Sequence, residues 1–170
     1  MNQAKTLGEL RESGYKSRST KEELRNNLID LIKSGKKRFP GIIGYDRTVL
    51  PQLENAILSR HDLLLLGLRG QAKTRILRQM VSLLDEYIPV IKGSQLNEDP
   101  FNPISDKNRK LAAEAGDDLE VEWLHRDQRY NEKLATPDVT VADLIGDLDP
   151  IKAVREKLDI SNEEVIHWGI

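Results

Sequence analysis

Apolar residues recur at helical spacing in several segments, and most of these segments carry their own start or stop signals. The clearest follows Thr20 and Glu23, a pair that can form a capping box, and ends before Gly35. This pattern predicts an amphipathic helix over Lys21–Ser34. Similar patterns predict a helical turn at Leu7–Leu10 and helices capped by Asp46, over Lys73 to about Tyr87, near Lys107–Ala115, from Thr140 and from Pro150.

Two short apolar runs break the helical period. The first, "HDLLLLG", ends in glycine and is typical of a strand buried on both faces, as in parallel sheets, so we predict a strand over Leu63–Leu66. The second, "IPVIKG", predicts another strand. Between Asn97 and Arg129 the chain is polar, which predicts an irregular insertion around one helix. The expected fold is therefore α/β, a partial parallel sheet flanked by helices and preceded by an N-terminal helical segment.

The residues after the first apolar run have the spacing of a phosphate-binding loop, G-x-x-x-x-G-K-[ST]. Gly67, Lys73 and Thr74 match it, and Ala72 stands where the pattern has its second glycine. In such a loop the backbone N–H groups of Gly70–Thr74 would face phosphates and Lys73 would neutralise their charge, while the Thr74 hydroxyl would help to hold Mg²⁺. The alternative is a turn between strand and helix that binds no ligand.

Ala72 is the one departure from the loop pattern. Glycine adopts positive φ freely, whereas alanine adopts it only with strain. If this part of the backbone is already helical, alanine is well tolerated. We therefore expect a negative φ at Ala72.

A second stretch, "MVSLLDE", imitates the acidic motif that holds Mg²⁺ and the attacking water in P-loop ATPases. It lies inside the helix that the loop opens. At 1.5 Å per residue, Asp85 would lie roughly 18 Å beyond Lys73. We expect Asp85 and Glu86 to be surface or helix-end residues without Mg²⁺ contact. The carboxylates needed for hydrolysis would then be missing from these 170 residues.

Composition narrows the class of protein. The net charge of -2 implies no bulk attraction to nucleic acid, and the chain has no cysteine and only three scattered histidines. No apolar run is long enough to span a bilayer, and the N-terminus has no signal-peptide core. We expect a soluble, cytoplasmic protein with no membrane insertion and no nucleic-acid partner.

Four segments follow one another along the chain: "FPGIIGYD", "LLLLGLRGQAKTRI", "NEDPFNP" and "ATPDVTVADLIGDLDPIKA". In this order they resemble the AAA+ ATPases of the magnesium-chelatase ATPase-subunit branch, with its MoxR-like relatives. The resemblance covers residues 39–170 and leaves 1–38 as an N-terminal arm and helix. It implies a partial AAA+ domain that stops before the acidic (Walker B) strand, a motor that works as a homo-oligomeric ring, and ATP with Mg²⁺ as cofactors. The nucleotide contacts it implies are Ile42 and Ile43 beside the adenine, and Gly67, Arg69, Gly70, Gln71, Ala72, Lys73, Thr74 and Arg75 around the phosphates.

Two other functions remain open at this point. A non-catalytic interaction module could keep a loop of this shape for structure alone. A small nucleotide kinase would need arginines in a lid, for which Arg126 and Arg129 are the nearby candidates.

Overall fold

The computed structural model of the chain describes residues 4–159 and 162–169 and has a mixed α/β fold. Each predicted helix is present among the described residues, but the one expected to reach about Tyr87 ends at Met80 and is followed by a 3₁₀ turn, Val81–Leu83. The principal elements are α1 Leu7–Glu12, α2 Thr20–Lys33, α3 Val49–Leu58, α4 Lys73–Met80, β1 Tyr87–Ile91, α5 Asp106–Ala115, β2 Val121–His125, α6 Val141–Ile145, β3 Asp147–Leu148, α7 Pro150–Glu156 and β4 Ile166–His167.

The prediction of a parallel sheet is wrong. In the described residues there are two two-stranded sheets, and both are antiparallel: β1 with β2, and β3 with β4. In the larger sheet Tyr87 lies opposite His125 and Ile91 opposite Val121. The second predicted strand is thus present, but its partner comes from the stretch that we expected to be an irregular insertion.

The other predicted strand, Leu63–Leu66, is not a strand in the structure. Leu63 and Leu65 are half-buried against the core, whereas Leu64 and Leu66 are 81% and 84% exposed. None of the backbone N–H or C=O groups from Leu63 to Leu66 forms a hydrogen bond to another described residue. A run of leucines carries enough apolar character for a buried strand, but burial on both faces needs neighbouring strands that the described residues do not supply.

Two helix starts also differ from expectation. The capping box of α2 is formed by Ser19 and Glu22, one residue earlier than the predicted pair. Asp46 does not cap α3, which begins at Val49 after Thr48 without a side-chain cap. Leu50, Leu53 and Ile57 of α3 are buried with Leu28 of α2 in the main core cluster.

A second apolar cluster joins the N-terminal helix to the larger sheet. Leu7 and Leu10 of α1 are buried against Ile91 and Leu119. The backbone of α1 is held there as well, because the N–H of Leu7 donates to the carbonyl of Leu119 at 2.9 Å.

A buried carboxylate organises the turn between β1 and α5. The side chain of Glu98, 2% exposed, accepts hydrogen bonds from the N–H groups of Ile104 (2.9 Å) and Ser105, from the hydroxyls of Ser94 and Ser105 (both 3.0 Å), and from the Asn108 amide. Burial by itself raises the pKa of Glu98, but the hydrogen bonds from Asn108, Ser105 and Ile104 outweigh it and hold the pKa below its usual value.

Candidate phosphate-binding loop

The loop from Gly67 to Ala72 leads directly into α4, so Lys73 and Thr74 stand on the first turn of that helix. The ammonium group of Lys73 turns back over the loop and donates to the carbonyls of Gly67 (2.8 Å) and Leu68 (2.6 Å). Gly67 leaves room for the Gln71 side chain, whose Oε1 occupies the space that a Cβ would take. The lysine is therefore at the centre of the loop, bonded to neutral carbonyls.

The negative φ expected at Ala72 is wrong. Ala72 has φ 55° and ψ 16°, a left-handed conformation, and it precedes the first residue of α4. The loop has to reverse direction before the helix begins, and this reversal outweighs the local preference of alanine for negative φ. Ala72 is half-buried against the core, and its carbonyl accepts the N–H of Ile76 at 2.9 Å. These contacts hold the alanine in a conformation that glycine adopts without strain.

The "GIIG" segment lies beside the loop and the first turns of α4. The Gln79 amide donates to the Pro40 carbonyl at 2.6 Å, and the Tyr45 hydroxyl donates to the Gln71 carbonyl at 3.3 Å. Gly41 (φ 78°) makes room for Arg75, whose guanidinium occupies the space that a Cβ would take. The structure thus brings residues 40–45 to the loop and to the first turns of α4.

The two isoleucines of this segment point in different directions. Ile42 is buried, 3% exposed, in the main core cluster with Phe39. Ile43 is 86% exposed. Of the two side chains expected beside the adenine, only Ile43 is free to contact a ligand.

Three cations stand in the loop and on the first turn of α4. Among the ion pairs of the described residues, none includes Arg69, Lys73 or Arg75. In contrast, Arg78 on the next turn of α4 makes a bidentate pair with Glu132 at 2.9 and 3.0 Å. Through that hydrogen bond Arg78 lowers the pKa of Glu132 below its usual value. Among the described residues, the cations of α4 that form no ion pair are therefore those at its loop end.

The side chain of Asp85 contacts residues outside the loop. It follows a short 3₁₀ turn, Val81–Leu83, that extends α4 and ends the predicted longer helix early. Its carboxylate pairs with Arg18 and accepts the Asn27 amide at 2.9 Å. Glu86, the other residue of the imitated motif, is exposed. Asp85 thus belongs to an ionic cluster at the start of α2. That it makes no contact with Mg²⁺ stays a prediction.

The arginines considered for a kinase lid are engaged elsewhere. Arg129 forms a buried bidentate pair with Glu23, with N–O distances of 2.7 and 2.6 Å. Arg126 donates to the carbonyls of Ser82 and Leu84, both at 3.4 Å. Both side chains tie the segment after β2 to α2 and to the end of α4.

Tyr45, Gln79 and Gly41 are the residues at this site that sequence reasoning missed. The tyrosine follows the second glycine of "GIIG" directly. Its position in the chain gives no sign that its hydroxyl meets a carbonyl 26 residues later.

Comparisons with protein-family models, with curated proteins and with solved structures found no match to this chain. In the described residues no helix is both long and apolar enough to cross a membrane.

Proposed function

We propose that the chain binds ATP with Mg²⁺ at Gly67–Thr74. We further propose that it is the ATP-binding portion of an AAA+ motor similar to the magnesium-chelatase ATPase subunit, which couples ATP hydrolysis to remodelling or metal insertion in a ring assembly. The observation that carries nucleotide binding is that three cations next to the N-terminus of α4 in the chain, Arg69, Lys73 and Arg75, form no ion pair with a described residue. The motor assignment depends on the sequence resemblance alone.

The electrostatics of the loop favour a polyanion. A helix N-terminus presents free N–H groups and a partial positive charge, and an adjacent lysine adds a full charge. The Lys73 ammonium now donates to two neutral carbonyls, and a phosphate oxygen in their place would add the attraction of an opposite charge. A triphosphate would therefore gain more from this loop than a neutral ligand of the same size.

The described residues offer little to a metal ion without the nucleotide. Among the described residues no group of three or more potential metal-ligating side chains comes together. Mg²⁺ commonly binds through one or two protein oxygens, with phosphates and water as its remaining ligands. The Thr74 hydroxyl on the first turn of α4 fits that chemistry, so the metal would bind as a complex with the triphosphate.

Titration calorimetry with Mg-ATP tests the proposal. Lys73→Ala should weaken binding by roughly 10- to 100-fold, because one charge-assisted hydrogen bond is worth about 1.5–3 kcal/mol. Lys110→Ala is the matched control, since Lys110 is an exposed lysine of α5 with no ion pair to a described residue. Equal affinities in the wild type, Lys73→Ala and Lys110→Ala would refute nucleotide binding at this loop.

One observation favours the interaction module as a second candidate function. Apolar surface is exposed at Leu64 and Leu66, which lead into the loop, and at Leu68 within it. The backbone groups of Leu63–Leu66 form no hydrogen bond to another described residue. Such a segment can add to the sheet of a partner protein. The same titration separates the two functions, because a module of this kind would bind no nucleotide.

A further inference from the structure

We propose that Tyr45 is a positioning residue of the phosphate loop, where its hydroxyl holds the peptide that precedes the left-handed Ala72. This inference rests on the proposed nucleotide function. Tyr45 lies outside the loop pattern, and it reaches the loop through one contact, the 3.3 Å hydrogen bond from its hydroxyl to the carbonyl of Gln71.

That carbonyl is well placed to control the loop. It belongs to the peptide unit whose N–H is that of Ala72, so fixing it fixes the orientation of the chain on the N-terminal side of Ala72. On the other side, the Ala72 carbonyl is held by the N–H of Ile76. A strained backbone conformation persists only where its surroundings hold it. Tyr45 supplies the restraint on the N-terminal side of Ala72.

Tyr45 is itself fixed in place. Its ring packs against the main core cluster, and its backbone carbonyl accepts the N–H groups of Thr48 (3.2 Å) and Leu50 (3.1 Å) at the start of α3. The hydroxyl therefore projects from a rigid base rather than from a mobile side chain. Rigid support of this kind is what a preorganised binding loop requires.

This role of Tyr45 predicts which part of the ligand responds to its hydroxyl. If Tyr45 acts through the Gln71 carbonyl, it affects the phosphate part of the nucleotide and not the nucleoside part. Inorganic tripolyphosphate with Mg²⁺ should then respond to loss of the hydroxyl as strongly as Mg-ATP does.

The test is calorimetric titration of wild type and Tyr45→Phe with Mg-tripolyphosphate and with Mg-ATP. Tyr45→Phe keeps the ring that packs on the core and removes only the hydroxyl. We expect both affinities to fall by the same factor, about 2- to 10-fold, the effect of one neutral hydrogen bond. Tyr87→Phe is the control, because the Tyr87 ring of β1 lies edge-on to His125, away from these contacts.

A double-variant measurement separates this role from a general structural one. In an Ala72→Gly background residue 72 adopts the left-handed conformation without strain, so the Tyr45→Phe loss should shrink. A loss that persists undiminished in that background would overturn the proposal, as would a loss confined to Mg-ATP or no loss at all. If the wild type binds neither ligand, the proposed function itself fails, and this inference with it.

Discussion

Replacing Glu98 by glutamine tests whether the buried carboxylate stabilises the fold through its charge. Glutamine keeps the shape of the side chain and one oxygen, which can still accept the two backbone N–H groups of Ile104 and Ser105. The second oxygen becomes an NH₂ group and cannot accept. The hydroxyls of Ser94 and Ser105 can rotate to accept from it, but the Asn108 amide faces it as another donor.

The magnitude follows from these contacts. One charge-assisted hydrogen bond is lost outright, worth about 1.5–3 kcal/mol, and the remaining ones lose their ionic character. We expect Glu98→Gln to lower the free energy of unfolding at pH 7 by roughly 2–3 kcal/mol. For a chain of this size that is a fall in Tm of roughly 4–12 °C.

Urea denaturation followed by circular dichroism measures the effect, with Glu86→Gln as the control on an exposed glutamate. The pKa of Glu98 is lower in the folded chain than in the unfolded one. Its contribution is therefore fully present above the unfolded value of about 4.3 and is lost as the pH falls through the folded value. The difference between wild type and Glu98→Gln should shrink over that acid range. Equal midpoints for the two variants at pH 7, or a difference that grows on acidification, would refute the reasoning.

Two further predictions concern the loop. Ala72→Gly should raise the free energy of unfolding by roughly 0.5–1 kcal/mol, since the left-handed conformation costs alanine about 1–2 kcal/mol and the greater freedom of unfolded glycine offsets only part of this gain. Ala113→Gly, at an exposed position inside α5, should have the opposite sign in the same urea titration, and a loss in both variants would show that residue 72 carries no strain. The purified chain should release phosphate from ATP no faster than Lys73→Ala, because no carboxylate of the described residues contacts Lys73 or Thr74. Steady-state release well above that blank, proportional to protein, would reveal a hydrolytic group elsewhere.

Elements whose signals are local could be predicted from the sequence. α6 begins after Thr140, which caps it together with Asp143, and α7 begins at Pro150 after Asp149. Each of these helices is specified by residues within one turn of its start. The capping box of α2 was misplaced by one residue because Ser19 and Thr20 are both good caps, with glutamates three residues after each.

Elements that depend on a distant partner could not be predicted with the same success. The strand expected at Leu63–Leu66 was inferred from apolar character, which says that a segment can be buried but not which strand would bury it. β2 was missed because its alternation is short: Val121, Glu122 and Trp123 alternate, but Leu124 breaks the period within a polar stretch.

The candidate site shows the same division. The spacing of Gly67, Lys73 and Thr74 placed the loop at the start of a helix, and the structure has it there. The conformation of Ala72 is imposed by the closure of the loop, and the approach of Tyr45 by the packing of α3. Neither feature can be inferred from the spacing of the loop residues.

The leucines before the loop also bear on how the chain behaves among copies of itself. From Leu63 to Leu68 there is neither a charge nor a proline, and the charged residues nearest to this stretch are Asp62 and Arg69. Windows of that kind, when extended and unpaired, are templates for cross-β stacking between molecules. Leu63 and Leu65 rest on the core and are poor places for a protective charge. Leu64 and Leu66 face solvent, so a lysine or glutamate there would act as a gatekeeper against self-assembly without disturbing the interior.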